Sequence, residues 1–319
     1  ALISQDRAGK RERVTSSFET NHQPPIGEVE QLAEGLQVVT ANNAGAMTFT
    51  GTRSYILGED EVAIIDPGPD DPAHIAALQL AIAGRRVSHI LITHAHVDHS
   101  PAAAPLARRF DAPVYGFGPA HAGRSALMQQ LAANADLGGA EGIDTAFQPD
   151  INLADGDKVQ GDGWVLAAHH TPGHLSNHLC FEWLGAEALF SGDHVMGWAS
   201  TMISPPDGDL AAFMASLEKL ESIPARRYFP GHGAPIADGL TIARHLAKHR
   251  NLRGTQILEA LRAGDATALD LVERIYTDVP HALYAAAARN VFAHLLDFQQ
   301  RKLVGHRGIL TASSTFYIQ

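Results

Sequence analysis

A mixed α/β fold, with helices covering the faces of a sheet and a small helical module with a β-ribbon after it, is predicted for this 319-residue chain. Three observations predict it. Short apolar runs of strand length alternate with helical stretches, and some of the runs pair as hairpins. Eighteen histidines are present, and several sit together directly after such runs. Beyond Gly239 strand-like texture gives way to helical spacing, with two short strand-like segments near the C-terminus.

Residues 1–30 are polar, contain Pro24-Pro25 and read as a poorly ordered or surface-draped arm. Strand texture begins near Val38. Ser54–Leu57 and Val62–Ile65, separated by Gly58-Glu59-Asp60, form a hairpin signature closed by Asp66-Pro67-Gly68. Pro72–Ile82 reads as a helix, Val87–Thr93 as a strand ending at His94, Pro101–Phe110 as a helix and Pro113–Tyr115 as a strand. The stretch Gly118–Gln148, helical around Ser125–Ala133 and glycine-rich at Gly138-Gly139, has the length of a lid or binding loop. Strands at Trp164–Ala168, His178–Trp183 and Ala188–Ser191 follow, then a helix at Leu210–Leu220 and a short strand at Tyr228-Phe229.

After Gly239 helical spacing continues to Gly264. Thr267, with Asp270 three positions on, predicts a capping box for the next helix. Pro280 ends that helix or begins another, along which Leu283, Ala287, Val291, Leu295 and Phe298 form an apolar stripe. Lys302–Val304 and Thr315–Ile318 read as two strands around a turn at Gly305–Gly308, which makes the tail winged-helix-like. The expected organisation is an N-terminal arm over 1–35, a catalytic domain over 36–240, and a linker helix plus winged-helix-like domain over 241–319.

Hydrophobic residues make up 45% and charged residues 18%, which excludes a disordered or fibrous chain. No run approaches the ~20 apolar residues of a membrane helix. The single cysteine, Cys180, excludes an internal disulfide, and no apolar leader is visible, so the cytoplasm is the expected location. Net charge is −11, unevenly spread: residues 1–239 carry 14 basic and 29 acidic side chains, a balance of −15, while 240–319 carry 10 and 6, a balance of +4. The acidic body disfavours nonspecific wrapping of nucleic acid, and the basic tail leaves room for a local anionic contact.

The decisive segment is Thr93-His94-Ala95-His96-Val97-Asp98-His99, four potential ligands in six residues directly after a strand. No single strand or helix face can hold all four, so they require a loop at a strand end. Thr171-Pro172-Gly173-His174, Ser191-Gly192-Asp193 and Pro230-Gly231-His232-Gly233 supply further donors, each after an apolar strand and each beside a glycine that permits a tight turn. Five histidines and two aspartates suit two divalent ions with imidazole and carboxylate ligands.

The order H-x-H-x-D-H, His, Gly-Asp, Gly-His-Gly resembles the metallo-β-lactamase superfamily over roughly Val38–Asp238. The resemblance implies an αββα sandwich with a dinuclear zinc site at one edge. It implies that His94, His96 and His174 hold the first zinc, that Asp98, His99 and His232 hold the second, and that Asp193 bridges them. Asp66 matches the aspartate that orients the ligand loop from behind. The segments Tyr228–Pro235, His249–Arg253, Gln256–Leu258, Arg274–Tyr276, Ala286–Val291 and His294-Leu295 are similar to the lactamase-β-2-like branch, which has a winged-helix-like C-terminal domain and whose animal member is a single-stranded RNA endonuclease.

His178 matches that branch and stands as a candidate substrate contact or a surface residue at a strand start. His194, His169 and His170 read as packing or supporting residues. His245 and His249, four apart on a helix, could in principle bind metal, but seven ligands already suffice. Cys180 lies in an apolar run with no base beside it, which argues against a thiol nucleophile.

Direct attack by metal-activated water needs no serine or cysteine, and no G-x-S-x-G is present. Asp98 is both a ligand and a candidate proton shuttle. One expectation is a phosphodiesterase acting on single-stranded RNA, with Arg250, Arg253, Arg289, Arg301, Lys302 and Arg307 as phosphate contacts. The alternative is hydrolysis of a small ester or thioester of the glyoxalase II kind, a lactone or a β-lactam. A carboxylate at Asp193 favours glyoxalase-like or nuclease-like sites over true β-lactamases. A third, weaker reading is a non-catalytic metal-binding regulator. No membrane partner is expected, and a homodimer is left open.

Overall fold

The computed structural model describes residues 18–133, 137–138, 142–277 and 280–319. Residues 1–17 of the expected arm, and 134–136 and 139–141 of the expected lid, therefore lie outside the described residues.

The first sheet is built in chain order from β1 (Val29–Ala33), β2 (Leu36–Thr40), β3 (Arg53–Leu57), β4 (Glu61–Ile65), β5 (Arg86–Leu91), β6 (Val114–Gly116) and β7 (Ile151–Asn152). The β3–β4 pair is the antiparallel hairpin read from Gly58-Glu59-Asp60, and β4, β5 and β6 run parallel. The second sheet comprises β8 (Lys158–Gly161), β9 (Trp164–His170), β10 (Leu179–Trp183), β11 (Ala188–Gly192) and β12 (Arg227–Pro230), in the spatial order β12-β11-β10-β9-β8.

Side-chain alternation along these strands makes the layers. On β3 and β4, Ile56, Val62 and Ile64 face outward onto Leu78 and Ile82 of α1 (Pro72–Ile82) and Leu106 of α2 (Ala103–Phe110). Their neighbours Tyr55, Leu57, Ala63 and Ile65 face inward onto Leu166, Phe181, Phe190 and Phe229 of the second sheet. The same period of two puts Cys180, Leu189 and Tyr228 on the far side of that sheet. There they meet α4 (Leu210–Leu220) and the first half of α5 (Gly239–Arg262). Helix, sheet, sheet, helix is the result. Each buried phenylalanine in the middle layer contributes about 1.5–3 kcal/mol relative to exposure.

Local signals set the helix starts. Pro72 opens α1 behind the Asp71 cap, Asp209 caps α4 and Asp238 caps α5. Thr267 and Asp270 form the reciprocal capping box of α6 (Ala268–Ile275). The apolar stripe becomes α7 (Tyr284–Gln300), and β13 (Val304–His306) pairs antiparallel with β14 (Phe316–Ile318). The long α5 joins two cores: Ile242 and Leu246 pack under the second sheet, while Ile257 and Leu261 pack with Leu271, Val291 and Phe292 of the C-terminal module.

Three expectations change. The arm is not wholly draped, because Val29–Ala33 forms an edge strand whose polar, half-exposed sequence conceals its pairing with β2. The first ribbon strand begins at Val304, not Lys302, and Gly305 lies within it. The described part of Gly118–Gln148 is no free lid. Met128 and Leu131 of α3 (Ala126–Ala132) pack in the C-terminal core. Beyond them, Val97 N–H donates to the Gly142 carbonyl and Asp144 N–H to the Ala95 carbonyl, bracing the histidine-rich loop.

Candidate metal centre

Five strand C-termini, those of β4, β5, β9, β11 and β12, deliver polar side chains to one edge of the sandwich. β4 ends at Asp66, β5 leads into His94–His99, β9 into His174, β11 into Asp193 and β12 into His232. All seven predicted ligands come together. Ligand atoms of His94, His96, His174 and Asp193 lie within 4.8 Å of one another, as do those of Asp98, His99 and His232.

Outward hydrogen bonds determine which nitrogen each ring turns inward. His94 Nδ1 lies 2.9 Å from Thr93 Oγ1, His99 Nδ1 2.9 Å from Asp66 Oδ2, and His174 Nδ1 donates to the Met202 carbonyl at 2.8 Å. Their Nε2 atoms then carry lone pairs toward the centre. His96 turns Nδ1 inward, 2.9 Å from His94 Nε2 and 3.1 Å from His174 Nε2. His232 Nε2 lies 3.3 Å from His99 Nε2, 3.2 Å from Asp98 Oδ2 and 3.3 Å from Asp193 Oδ2. Asp193 Oδ2 also faces His174 at 3.5 Å and His94 at 3.9 Å, while Oδ1 faces His99 at 3.5 Å. Thr52 Oγ1 donates to Asp98 Oδ2 at 3.0 Å. Imidazole nitrogens and carboxylate oxygens aimed at one another fit cations between them, so the donor set suits metal.

Protonation tendencies divide the cluster. Burial, followed by repulsion from neighbouring imidazoles, holds His94 well below the ordinary range and His96 down at about 3. Burial also lowers His174, with Asp193 pulling the other way. His99 and His232 are buried as well, but carboxylates reverse the effect: Asp98, Asp193 and Asp66 raise His99 strongly, and Asp193 and Asp98 bring His232 to about 9. Burial raises Asp98 and Asp193, yet the imidazoles beside them leave both well below the carboxylate range.

Asp66 sits behind this centre, accepting from Thr93 N–H at 2.7 Å and Thr93 Oγ1 at 2.6 Å. His178 is neither on the surface nor open to a substrate: it is fully buried, Asp193 N–H donates to its Nε2 at 3.2 Å, and its Nδ1 meets Thr171 Oγ1 at 2.9 Å. His194 packs edge-on against Phe213, His169 pairs with Glu182, and His170 stacks on Phe117. Cys180 is buried, and burial pushes its thiol up to about 12. Among the described residues, His245 and His249 join no metal-competent group.

The arginines expected to meet phosphates are engaged within the chain. Arg250, 4% exposed, bonds Asn290 Oδ1 and the Thr201 carbonyl. Arg289 bonds Ser204 Oγ and the Leu137 and Pro205 carbonyls. Arg253 lies over the Tyr276 ring, Arg301 pairs with Asp297 and Arg307 with Asp265. Reading the sequence missed Thr93, Thr52, Met202 and Asn290. Thr93 adjoins the motif and could have been found there, but a backbone carbonyl such as that of Met202 leaves no residue-type signal.

Comparison with known proteins accounts for the arrangement. The Metallo-beta-lactamase superfamily model matches residues 47–232, more than half of the chain. The chain belongs to this superfamily. The model of the Beta-lactamase associated winged helix domain matches residues 267–310, so the C-terminal module is a winged helix of that kind. Among relatives, a Beta-lactamase-like protein 2 homolog of Drosophila melanogaster is 31% identical over 92% of this chain and 97% of its own length. An Atrochrysone carboxyl ACP thioesterase of Aspergillus fumigatus is 29% identical over 89% of this chain and 87% of its own. The crystal structure of a metallo-beta-lactamase family protein from Thermus thermophilus shares the fold, with a TM-score of 0.73 at 24% identity, covering 91% of this chain and all of that one. The superfamily and the thioesterase-named relatives point to hydrolase activity, and the His/Asp clusters can hold metal. Among the described residues no helix is long and apolar enough to cross a membrane.

Proposed function

We propose that the protein is a dinuclear zinc-dependent hydrolase of small acyl substrates, with thioesters first among them. The convergence of seven donor side chains at one edge of the sandwich carries this reading. His94, His96, His174 and Asp193 would hold one zinc, and Asp98, His99, His232 and the shared Asp193 the other. Zinc bound there supplies Lewis-acid polarisation of the scissile carbonyl and acidifies water toward neutral pH.

The chain's own residues do the rest. Asp66 and Thr93 keep His99 and His94 in the tautomer that turns Nε2 inward. Asp98, whose side chain is 21% exposed, is the most accessible of the paired carboxylates here and is the residue assigned to proton transfer, taking a proton from water and returning it to the departing thiolate. Beside His232, the stacked rings of Phe49 and Trp198, 4.8 Å apart, flank Gly233 and offer an apolar wall for an acyl group.

The internal hydrogen bonds of Arg250 and Arg289 favour an acyl substrate over single-stranded RNA, as does the −15 balance of residues 1–239. A polyanion would approach an acidic body and find those two cations already satisfied. The test is a substrate panel on zinc-loaded protein: acyl-CoA and acyl-carrier-protein thioesters, S-lactoylglutathione, lactones, nitrocefin and single-stranded RNA. Thioester turnover that disappears with chelator and returns with zinc is expected. Metal-dependent RNA cleavage without acyl hydrolysis would replace this reading by the phosphodiesterase one. Bound metal with no turnover on any substrate would leave a regulator.

A further inference from the structure

The loop after β11 runs from Asp193 through 201–205 to α4, and nearly every residue of its middle is held by the C-terminal region. Arg250 on α5 donates to the Thr201 carbonyl. Asn290 on α7 accepts Ile203 N–H at 3.0 Å through Oδ1, which also accepts Arg250 Nη1 at 3.0 Å. Arg289 donates Nε–H to Ser204 Oγ at 2.9 Å and binds the Pro205 carbonyl. The residue left over is Met202, whose carbonyl accepts from His174 Nδ1. One residue earlier, the Thr201 hydroxyl donates to the Asp193 carbonyl at 2.9 Å. Thr201 and Ile203 are fully buried and anchor the loop on either side of Met202.

We propose that Asn290, with Arg250 and Arg289, positions the His174 imidazole by fixing the 201–205 loop whose Met202 carbonyl holds the His174 Nδ1 proton. The winged-helix region thereby completes the metal centre from behind. Asn290 suits the task because one amide oxygen can accept from both a guanidinium and a backbone N–H. Arg250 suits it because its planar fork reaches a carbonyl and an amide oxygen together, which a lysine ammonium does not reproduce. With the loop released, His174 could rotate or switch tautomer, and partners of this kind are typically worth about 10–100-fold in metal affinity.

The inference rests on His174 being a metal ligand, and the experiment separates the two claims. Zinc affinity and stoichiometry are measured by competition with a chromophoric chelator, and the visible spectrum is recorded after Co2+ substitution. The set is the full-length wild type, His174→Ala, Asn290→Leu and Asn290→Asp. Asn290→Leu should weaken one zinc by roughly 10–100-fold and alter the cobalt bands, with an unchanged circular dichroism spectrum. Asn290→Asp, which keeps both acceptor contacts, should restore wild-type affinity and spectrum. If Asn290→Leu does not fold, Arg250→Lys carries the same expectation. Wild-type affinity and cobalt bands in a folded Asn290→Leu or Arg250→Lys, while His174→Ala is weakened, would overturn the positioning role alone. A His174→Ala chain that binds zinc like wild type would instead overturn the ligand assignment, and this inference with it.

Discussion

Asp66 Oδ2 lies 2.9 Å from His99 Nδ1, on a backbone held at φ +50° immediately after β4. The left-handed conformation turns the carboxylate under the ligand loop, where it meets Thr93 and His99 together. Asp is among the few non-glycine residues that tolerate this conformation. The same sequence position thus stops a strand, holds a left-handed turn and orients the His99 ring.

Asp66→Asn should therefore leave the backbone intact, since Asn also accepts the left-handed region. It keeps one acceptor oxygen but loses the charge facing His99. Zinc in the cluster of Asp98, His99 and His232 should weaken by about 10–100-fold. Stepwise chelator competition, read as two separate affinities, checks this; an unchanged affinity at the cluster of Asp98, His99 and His232 would contradict the role.

Asp193 faces donors of both groups, His174 and His232 through Oδ2 and His99 through Oδ1. Asp193→Ala should cost more than loss of an outer partner, at least about 100-fold in turnover on any substrate the wild type accepts. Metal content should fall below two per chain. Elemental analysis after gel filtration and a steady-state assay give the two numbers; near-wild-type turnover with full metal would remove the bridging assignment.

The convergence of these seven side chains could be read from the sequence because histidine and aspartate recur at strand ends: His94 to His99 follow shortly after β5, and the other three sit beside glycines. The alternation Ile56/Tyr55 and Val62/Ala63 likewise carries the two-sided burial of the first sheet. What escaped has a physical reason. Val29–Ala33 pairs through its backbone while its side chains stay polar and half-exposed, so periodicity is silent there. Arg250 and Arg289 read as free cations because composition records charge but not the carbonyls that a fold brings to it. His178 read as a substrate contact or a surface residue because its partner, the Asp193 amide, is an atom every residue has.

His294 gives a pH dependence remote from the metal centre. It is 3% exposed on α7, and burial first, then the Arg250 charge, pull it down to about 3. The folded value lies below the unfolded value of about 6.5. The unfolded chain therefore binds the proton more readily, so stability is complete above pH ~6.5 and falls as pH drops from there toward 3. The slope from this one group is at most about 1.4 kcal/mol per pH unit. Urea denaturation between pH 7 and pH 4.5 should show a flatter profile for His294→Gln than for wild type. Parallel profiles would mean His294 is not held neutral.

Gly231 tests how tightly the strand ends enclose the site. Its backbone φ is not positive, so alanine there carries no left-handed strain and any effect is steric. A Cβ would stand 2.4 Å from Asp193 Oδ1 and 2.6 Å from His99 Cε1, both far inside contact distance. Neither neighbour can retreat freely: Asp193 N–H is held by His178, and His99 Nδ1 by Asp66. The displaced atoms belong to Asp193, which faces both groups, and to His99 of the second. Gly231→Ala should accordingly lose metal at the second cluster and at least about tenfold in turnover, within the range for disturbed ligand positioning. The nearest atoms to the added Cβ belong to Asp193, His99 and Gly192 and not to the helices under the sheet, so circular dichroism should stay near wild type. A Gly231→Ala chain with two zincs and full turnover would show that Asp193 and His99 can move apart without cost, and the close enclosure described for this edge would not hold.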